Sequence, residues 1–191
     1  MELPIELQDL WNEIMDDNNI KTFSDQDDLI NVICEINYES SVAVKNFLEL
    51  LISLMDLLIN ITNEKSLLMF RDIILKTITE HPKKVMEKYI MKAYNIDDNA
   101  LIRKKIVELN EDFFLENSFG DDEDDPNNII NRIFNFKKVW PQLLEENRNI
   151  IKFIYLKNLC ICSDIRYKCI HKYHEIRKLN GKYEHLFDDD F

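Results

Sequence analysis

The chain contains few of the residues that tight turns require, with only two glycines and four prolines among its 191 residues. Hairpin-connected sheets depend on glycine at their turns, and nucleotide-binding α/β folds need it where the backbone approaches the phosphates. Gly120 and Gly181 are too few for either pattern. The scarcity predicts an all-α fold, and the 46% hydrophobic content indicates a folded core.

Several enzyme signatures are also missing from the sequence. There is no phosphate-binding P-loop, no G-x-S-x-G, no H-E-x-x-H and no paired C-x-x-C. The 36 aspartates and glutamates are too numerous for a catalytic pair to be selected among them. We therefore leave enzymatic activity open, favour a non-enzymatic protein, and predict neither a cofactor nor a metal.

The charge balance disfavours one class of partner. A formal net charge of −12 repels phosphate over most of the surface, so nucleic acid is an unfavoured ligand unless a local basic face exists. The first residues, MELPIELQDLW, lack the basic region and apolar core of a signal peptide. We expect an intracellular protein, in cytoplasm or nucleus, with reduced cysteines.

The most apolar stretch runs from 42 to 61 and still carries Lys45, Glu49 and Asp56. Charges at bilayer depth are unfavourable, so we predict a buried helix and no membrane span. This segment, or the apolar segment 149–162, is the predicted centre of the bundle.

Apolar residues recur at helical spacing through most of the chain. They predict one bundle of seven to eight helices over residues 1–185, an acidic loop at 117–128 within it, and an acidic aromatic tail at 186–191. A bend is expected at 146–149, in a final helical region that ends near Leu179. The expected helix starts are Pro4, Ser24, Ser40 or Ser41, Asn63, Pro82, Asp97 or Asp98, Ile129 and Pro141.

The stretch NLCICSDIRYKCIHKYH, residues 158–174, holds three of the four cysteines and two of the four histidines. On one straight helix Cys162 and Cys169 fall on the apolar face, whereas Cys160, His171 and His174 point away from it. Cys160 and His171 are about 16 Å apart along the axis, too far to share one zinc ion. The pattern predicts core cysteines and exposed histidines.

Arg166 and His171 form an R-x4-H spacing in RYKCIH, which resembles the R-x4–6-H motif of the HEPN family. The resemblance implies an all-α, metal-independent ribonuclease in which arginine and histidine from two paired protomers act on the scissile phosphate. It covers six residues, and the polar residue usual after the arginine is Tyr167 here.

The end of the chain combines basic and acidic aromatic features. The helix carries Lys168, Lys172 and Lys178, which would form a solvated face or dock an acidic partner or nucleic acid. The ending EHLFDDDF, with Phe187 and Phe191, resembles the acidic, phenylalanine-ending tails of some single-stranded-DNA-binding proteins. That resemblance implies a peptide ligand for a partner, and the tail could equally fold back onto the three lysines.

The leading hypothesis is a non-enzymatic interaction protein or assembly subunit. Its abundant Ile, Asn, Lys and Asp are typical of AT-rich coding, so a viral virion component or host-protein binder is one form of that hypothesis. The alternatives are the ribonuclease using Arg166 and His171, an acidic DNA mimic that inhibits a DNA-binding protein, and a nucleic-acid binder using the basic helix. The sequence leaves the oligomeric state open.

Overall fold

The computed structural model describes residues 20–63, 65–94, 100–116, 140–189 and 191, and every regular element within these ranges is helical. The chain forms a single all-α domain, as predicted. The predicted helix at 4–16, the acidic loop at 117–128 and the helix from Ile129 lie outside the described residues. The elements are α1 (Gln26–Thr62), α2 (Lys65–Glu80), α3 (Pro82–Ala93), α4 (Leu101–Val107), α5 (Glu111–Glu116), a 3-10 turn (Trp140–Gln142), α6 (Glu145–Ile150), a π-helical segment (Ile151–Leu156), α7 (Lys157–Leu179) and a 3-10 segment (Gly181–Leu186).

Helix α1 replaces two predicted helices with one of 37 residues. It begins one residue after the predicted start at Ser24, because Asp25 and not Ser24 is the cap. The Asp25 carboxylate accepts a hydrogen bond from the Asp27 N–H at 2.8 Å, and Asp27 and Asp28 favour the positive end of the helix dipole. The predicted start at Ser40 or Ser41 is wrong. Ser40 is buried in mid-helix, where its hydroxyl meets a side chain from α7.

Asn63 ends α1, and its backbone conformation explains the end of the helix. Its φ of 54° lies in the left-handed region, and its N–H donates to the Ile59 carbonyl at 2.8 Å. Asparagine tolerates this conformation better than other non-glycine residues, which explains its position at this turn. Pro82, by contrast, opens α3 as predicted, because a proline in the first helical turn loses no hydrogen bond.

The helix predicted from Asp97 or Asp98 through Phe113 is two helices. Leu109 has a φ of 54°, its N–H donates to the Ile106 carbonyl, and the Asn110 N–H donates to Lys105, which is the hydrogen-bond pattern of a Schellman stop. The Asn110 side chain then accepts from the Phe113 N–H at 2.9 Å and caps α5.

The final helical region runs without interruption from α6 to α7. It contains the π segment, which lies close to the bend predicted at 146–149. A π turn holds more residues than an α turn, so a register drawn at 100° per residue fails across it. Ile154, which lies in this segment, is exposed. Within α7, Ile165 is exposed and Cys160 is buried, although Cys160 was predicted to point away from the apolar face.

Two apolar clusters fill the domain. The larger one is formed by helices α1 through α4, Trp140, the π segment and the start of α7. The smaller one lies at the other end of α1 and α7 and consists of Phe23, Leu29, Ile33, Ile36, Cys169, Tyr173, Ile176 and Phe187. Of the two predicted central segments, α1 packs against α2, α3, α7 and the π segment, whereas Phe153, Ile154 and Ile161 of segment 149–162 are exposed. The expectation that apolar residues of 149–162 are enclosed on all sides is wrong.

Charged contacts fasten the smaller helices to this frame. Arg103 of α4 makes two parallel hydrogen bonds to Asp164 of α7, at 2.7 and 2.6 Å. Glu111 of α5 pairs with Lys152 and accepts a hydrogen bond from the Trp140 indole at 3.1 Å. The Lys152 contact lowers the pKa of Glu111. None of the described helices is long and apolar enough to cross a membrane.

The left-handed turn at Asn63 gives a prediction about stability. Asn63→Gly should leave the free energy of unfolding unchanged or raise it slightly, because glycine adopts positive φ without a steric penalty. Asn63→Val should lower it by about 1–2 kcal/mol, because its Cβ meets the carbonyl oxygen in this conformation. Urea denaturation of the two variants measures the difference, and equal stabilities would contradict the assigned turn.

Candidate functional site around Arg166

Three other parts of the chain converge on Arg166, a side chain that is only 1% exposed. Ser40 comes from the middle of α1 and Glu87 from α3, and the third part follows the last 3-10 segment. This third part consists of residues 187–189 and 191, and we refer to these four residues as segment 187–191. Helix α7 points Arg166 inward because it continues the buried series Leu159, Cys162, Arg166, Cys169, Tyr173 and Ile176, which repeats at helical spacing.

The Arg166 guanidinium is held by three oxygens. Its Nη1 donates to Ser40 Oγ at 2.5 Å, its Nη2 donates to the Phe191 main-chain oxygen, and the same Nη2 lies 3.5 Å from Glu87 Oε1. Burial lowers the pKa of Arg166 and Glu87 opposes that shift, and the group stays cationic. Within the described residues its Nε has no hydrogen-bond acceptor.

Tyr173 and Arg166 together hold the Phe191 ring. The Tyr173 and Phe191 rings stack with centroids 3.9 Å apart and planes 11° apart, and the Arg166 guanidinium carbon lies 4.8 Å from the Phe191 centroid. The Lys83 ammonium approaches the same ring at 5.9 Å. The ring thus sits between one aromatic face and two cations, an arrangement that favours an electron-rich π system.

The acidic part of the segment is held as well. The Tyr173 hydroxyl accepts a hydrogen bond from the Asp188 N–H at 2.5 Å, and Arg177 reaches Asp189 Oδ1 at 2.6 Å and Glu184 Oε1 at 2.5 Å. Phe187 is buried against the edge of the Tyr173 ring, with centroids 5.3 Å apart. Segment 187–191 therefore lies on the domain, and neither phenylalanine is presented to solvent as a free peptide ligand.

The described fold-back contacts include residues that were not predicted for this role, namely Arg166, Tyr173 and Arg177. Lys172 is only 5% exposed and Lys168 is half-buried, so the predicted solvated face is wrong for Lys172. Lys178 is exposed and lies 4.0 Å from Glu175.

Asn180 is a residue of this region that the sequence reasoning missed. Its buried side chain accepts a hydrogen bond from the Phe23 N–H at 2.7 Å and donates to the Lys21 carbonyl at 2.9 Å. It joins the chain before α1 to the end of α7. An asparagine next to glycine at a helix end usually indicates only a turn, so no local signal marked this long-range contact.

His171 lies on a different side of α7 from Arg166. Five residues of α-helix separate their directions by about 140°. The His171 ring meets the edge of Tyr167, which stacks on Tyr94 with centroids 4.5 Å apart. Burial lowers the pKa of His171 to about 4, assisted by the nearby His174.

The ribonuclease prediction needs an arginine that can touch a phosphate. In this structure the Arg166 guanidinium is enclosed by Ser40, Glu87 and Phe191, and segment 187–191 would have to move before a phosphate could reach it. His171, neutral at pH 7, could accept a proton but not donate one.

The three cysteines of the stretch are buried thiols, with Cys169 Sγ lying 3.9 Å from Glu39. Burial raises the pKa of Cys169 to about 11, so it is protonated at neutral pH and a poor nucleophile. Where the structure describes the chain, no three histidine, cysteine, aspartate or glutamate side chains are close enough to share a metal ion.

No protein-family model matches this chain, and no curated protein or solved structure is significantly similar to it. Its function therefore has to follow from the chemistry and exposure of its own residues.

Ser40 and its neighbour Ser41 provide a matched test of the buried guanidinium. Ser40→Ala should lower the free energy of unfolding by about 1–3 kcal/mol, because Arg166 Nη1 loses its buried acceptor. Ser41 is exposed one position along the same helix, so Ser41→Ala should change stability by less than about 0.5 kcal/mol. Equal effects in chemical denaturation would show that Ser40 contributes nothing specific.

The pKa of His171 gives a pH dependence of stability. Between its ordinary value of 6.5 and its folded value of about 4, the unfolded chain binds the proton more readily than the folded one. The contribution of His171 to the free energy of unfolding should therefore fall as pH falls through this window, by on the order of 1–3 kcal/mol.

Denaturation at pH 7 and pH 4 measures this loss. His171→Gln removes the titration and should flatten the profile, whereas His185→Gln, at an exposed position, should leave its slope unchanged. If the wild-type and His171→Gln profiles are parallel, His171 is not the group responsible.

Proposed function

We propose that the chain is a non-enzymatic interaction protein that binds an amphipathic helix of another protein. The observation that carries the proposal is a row of large apolar side chains on the outer side of the last helical region. Phe153, Ile154, Ile161 and Ile165 are 54%, 51%, 45% and 39% exposed. We refer to these four residues as the apolar stripe.

The stripe consists of two adjacent pairs. Ile161 and Ile165 are four residues apart on α7, so they lie within about 40° of each other around the axis, and Phe153 and Ile154 line one depression on the π segment. Single exposed apolar residues are ordinary on a protein surface, but contiguous ones are typical of binding surfaces. A helix that offers apolar residues at such intervals suits a second helix packed along it.

The stripe ends at a shallow open depression with a defined chemistry. Ile150, Phe153 and Ile154 form its apolar part, and Glu145 and Glu146 add two exposed carboxylates. Leu144, 72% exposed, lies beside them in the chain. The complementary helix would insert an apolar side chain between the isoleucines and place lysines or arginines opposite the two glutamates.

The burial of the two predicted catalytic groups also favours a protein that binds rather than catalyses. Arg166 is buried and has its partners within the chain, and burial keeps His171 neutral at pH 7. Neither group lines the depression, whose residues carry no nucleophile or base apart from the two exposed carboxylates.

The decisive experiment compares two double variants in a purified complex. Partners are first isolated with the intact chain from cells that naturally produce it, and any candidate is then purified and titrated against the chain. Phe153→Ser with Ile154→Ser should weaken its binding by at least tenfold, because truncating central apolar residues removes most of a contact's free energy. Calorimetry or fluorescence anisotropy measures the dissociation constant.

A control pair lies on α2, where Leu68 and Met69 are likewise adjacent and exposed. Leu68→Ser with Met69→Ser should leave the dissociation constant unchanged. The proposal fails if both pairs weaken binding equally, if neither does, or if no purified protein binds the intact chain in a fixed ratio. Light scattering of the chain alone identifies self-association, which would also contradict a foreign partner helix.

A further inference from the structure

Segment 187–191 occupies a cleft whose walls come from distant parts of the chain. Ser40 and Glu87 contact Arg166, while Tyr173 and Arg177 lie on α7 about two and three turns further along. The segment itself adds two phenylalanines and the carboxylates of Asp188 and Asp189. The cleft thus combines an aromatic face with cations, the chemistry that suits an acidic peptide carrying an aromatic side chain.

The buried part of the cleft is the Arg166 guanidinium, a charged group that needs hydrogen-bond acceptors opposite it. Arg166 is almost fully buried, and its terminal nitrogens contact Ser40 Oγ, the Phe191 main-chain oxygen and, at 3.5 Å, Glu87 Oε1. The Nε, buried as well, lacks an acceptor among the described residues. A buried cation with spare donors is unfavourable without a peptide oxygen opposite it, so the cleft has intrinsic affinity for peptide backbone.

The contacts that hold the segment are few and partly at the surface. Asp189 is 87% exposed in its pairing with Arg177, and such pairs are weak and screened by salt. The segment nevertheless stays in place because it is tethered, which gives it an effective concentration of order millimolar at the cleft. A competing peptide of the same chemistry therefore needs only to exceed that concentration or to bind through additional contacts.

We infer that this cleft is a peptide-binding site for acidic segments with an aromatic residue from another protein, and that segment 187–191 is its displaceable internal ligand. Phe191 marks the aromatic position, Arg166 binds the adjacent main-chain oxygen, and Arg177 recognises a carboxylate two residues earlier. The site uses other residues than the apolar stripe, so the failure of either test leaves the other intact.

The test uses the full chain and a short peptide, N-acetylated and C-amidated DDDF. Asp189→Asn with Phe191→Ala vacates the aromatic position, and nuclear magnetic resonance then follows the Tyr173 and Arg166 signals as peptide is added. Saturable shifts are expected in this variant, with a dissociation constant at least tenfold lower than in the wild type, where the tethered segment competes. The single variant Asp189→Asn is altered only at an exposed carboxylate, and its dissociation constant for the peptide should lie between those of the double variant and the wild type. It replaces the double variant in the test if the double variant does not fold.

Two controls separate specific recognition from charge attraction. The peptide DDDA should bind at least tenfold more weakly than DDDF, because it cannot stack on Tyr173. Adding Arg177→Glu to the vacated chain should weaken DDDF binding at least tenfold, whereas Lys178→Glu, exposed one residue further on, should change it less than threefold. The proposal is overturned if the folded variants show no saturable shift at 10 mM peptide, on the order of ten times the tethered segment's effective concentration, or if DDDA binds as well as DDDF.

Discussion

The burial of the Arg166 guanidinium constrains the arrangement of α1, α3, α7 and the end of the chain. Removing a cation from water is unfavourable by several kcal/mol unless polar partners surround it. Ser40, Glu87 and the Phe191 oxygen supply those partners from three directions. The same requirement fixes the rotation of α7 against α1, because only one face of α7 can carry Arg166 inward. That rotation in turn buries Tyr173, on which Phe187 and Phe191 pack.

Local patterns predicted the fold class and several helix ends, because these depend on neighbouring residues. The proline start of α3 follows from a dihedral angle fixed within one turn. Ser40 was misread for the complementary reason. Its neighbourhood resembles a helix start, but the acceptor role of its hydroxyl depends on an arginine 126 residues away. A sequence window cannot contain that contact.

On α7, hydrophobic periodicity alone does not identify the buried face. Buried residues could follow Cys162 at Ile165 or at Arg166, since both continue a pattern of three- and four-residue steps. Hydrophobicity favours Ile165, yet Arg166 is the buried one. Sequence motifs indicated both Arg166 and Phe191 as candidate residues, but for separate sites. Their convergence arises from the turn after Leu179, which returns the chain along α7.

Helix α7 and its π segment therefore have an inverted arrangement, with a cation inside and isoleucines outside. The isolated domain gains nothing from the exposed Phe153 and Ile154, because apolar area that remains in water contributes no burial energy. A folding requirement thus explains the inward position of Arg166, whose partners are within the chain. The same constraint, rotation of α7 to satisfy the buried guanidinium, turns Ile165 outward next to it. The interior charge and the exposed Ile165 are consequently two results of one packing choice.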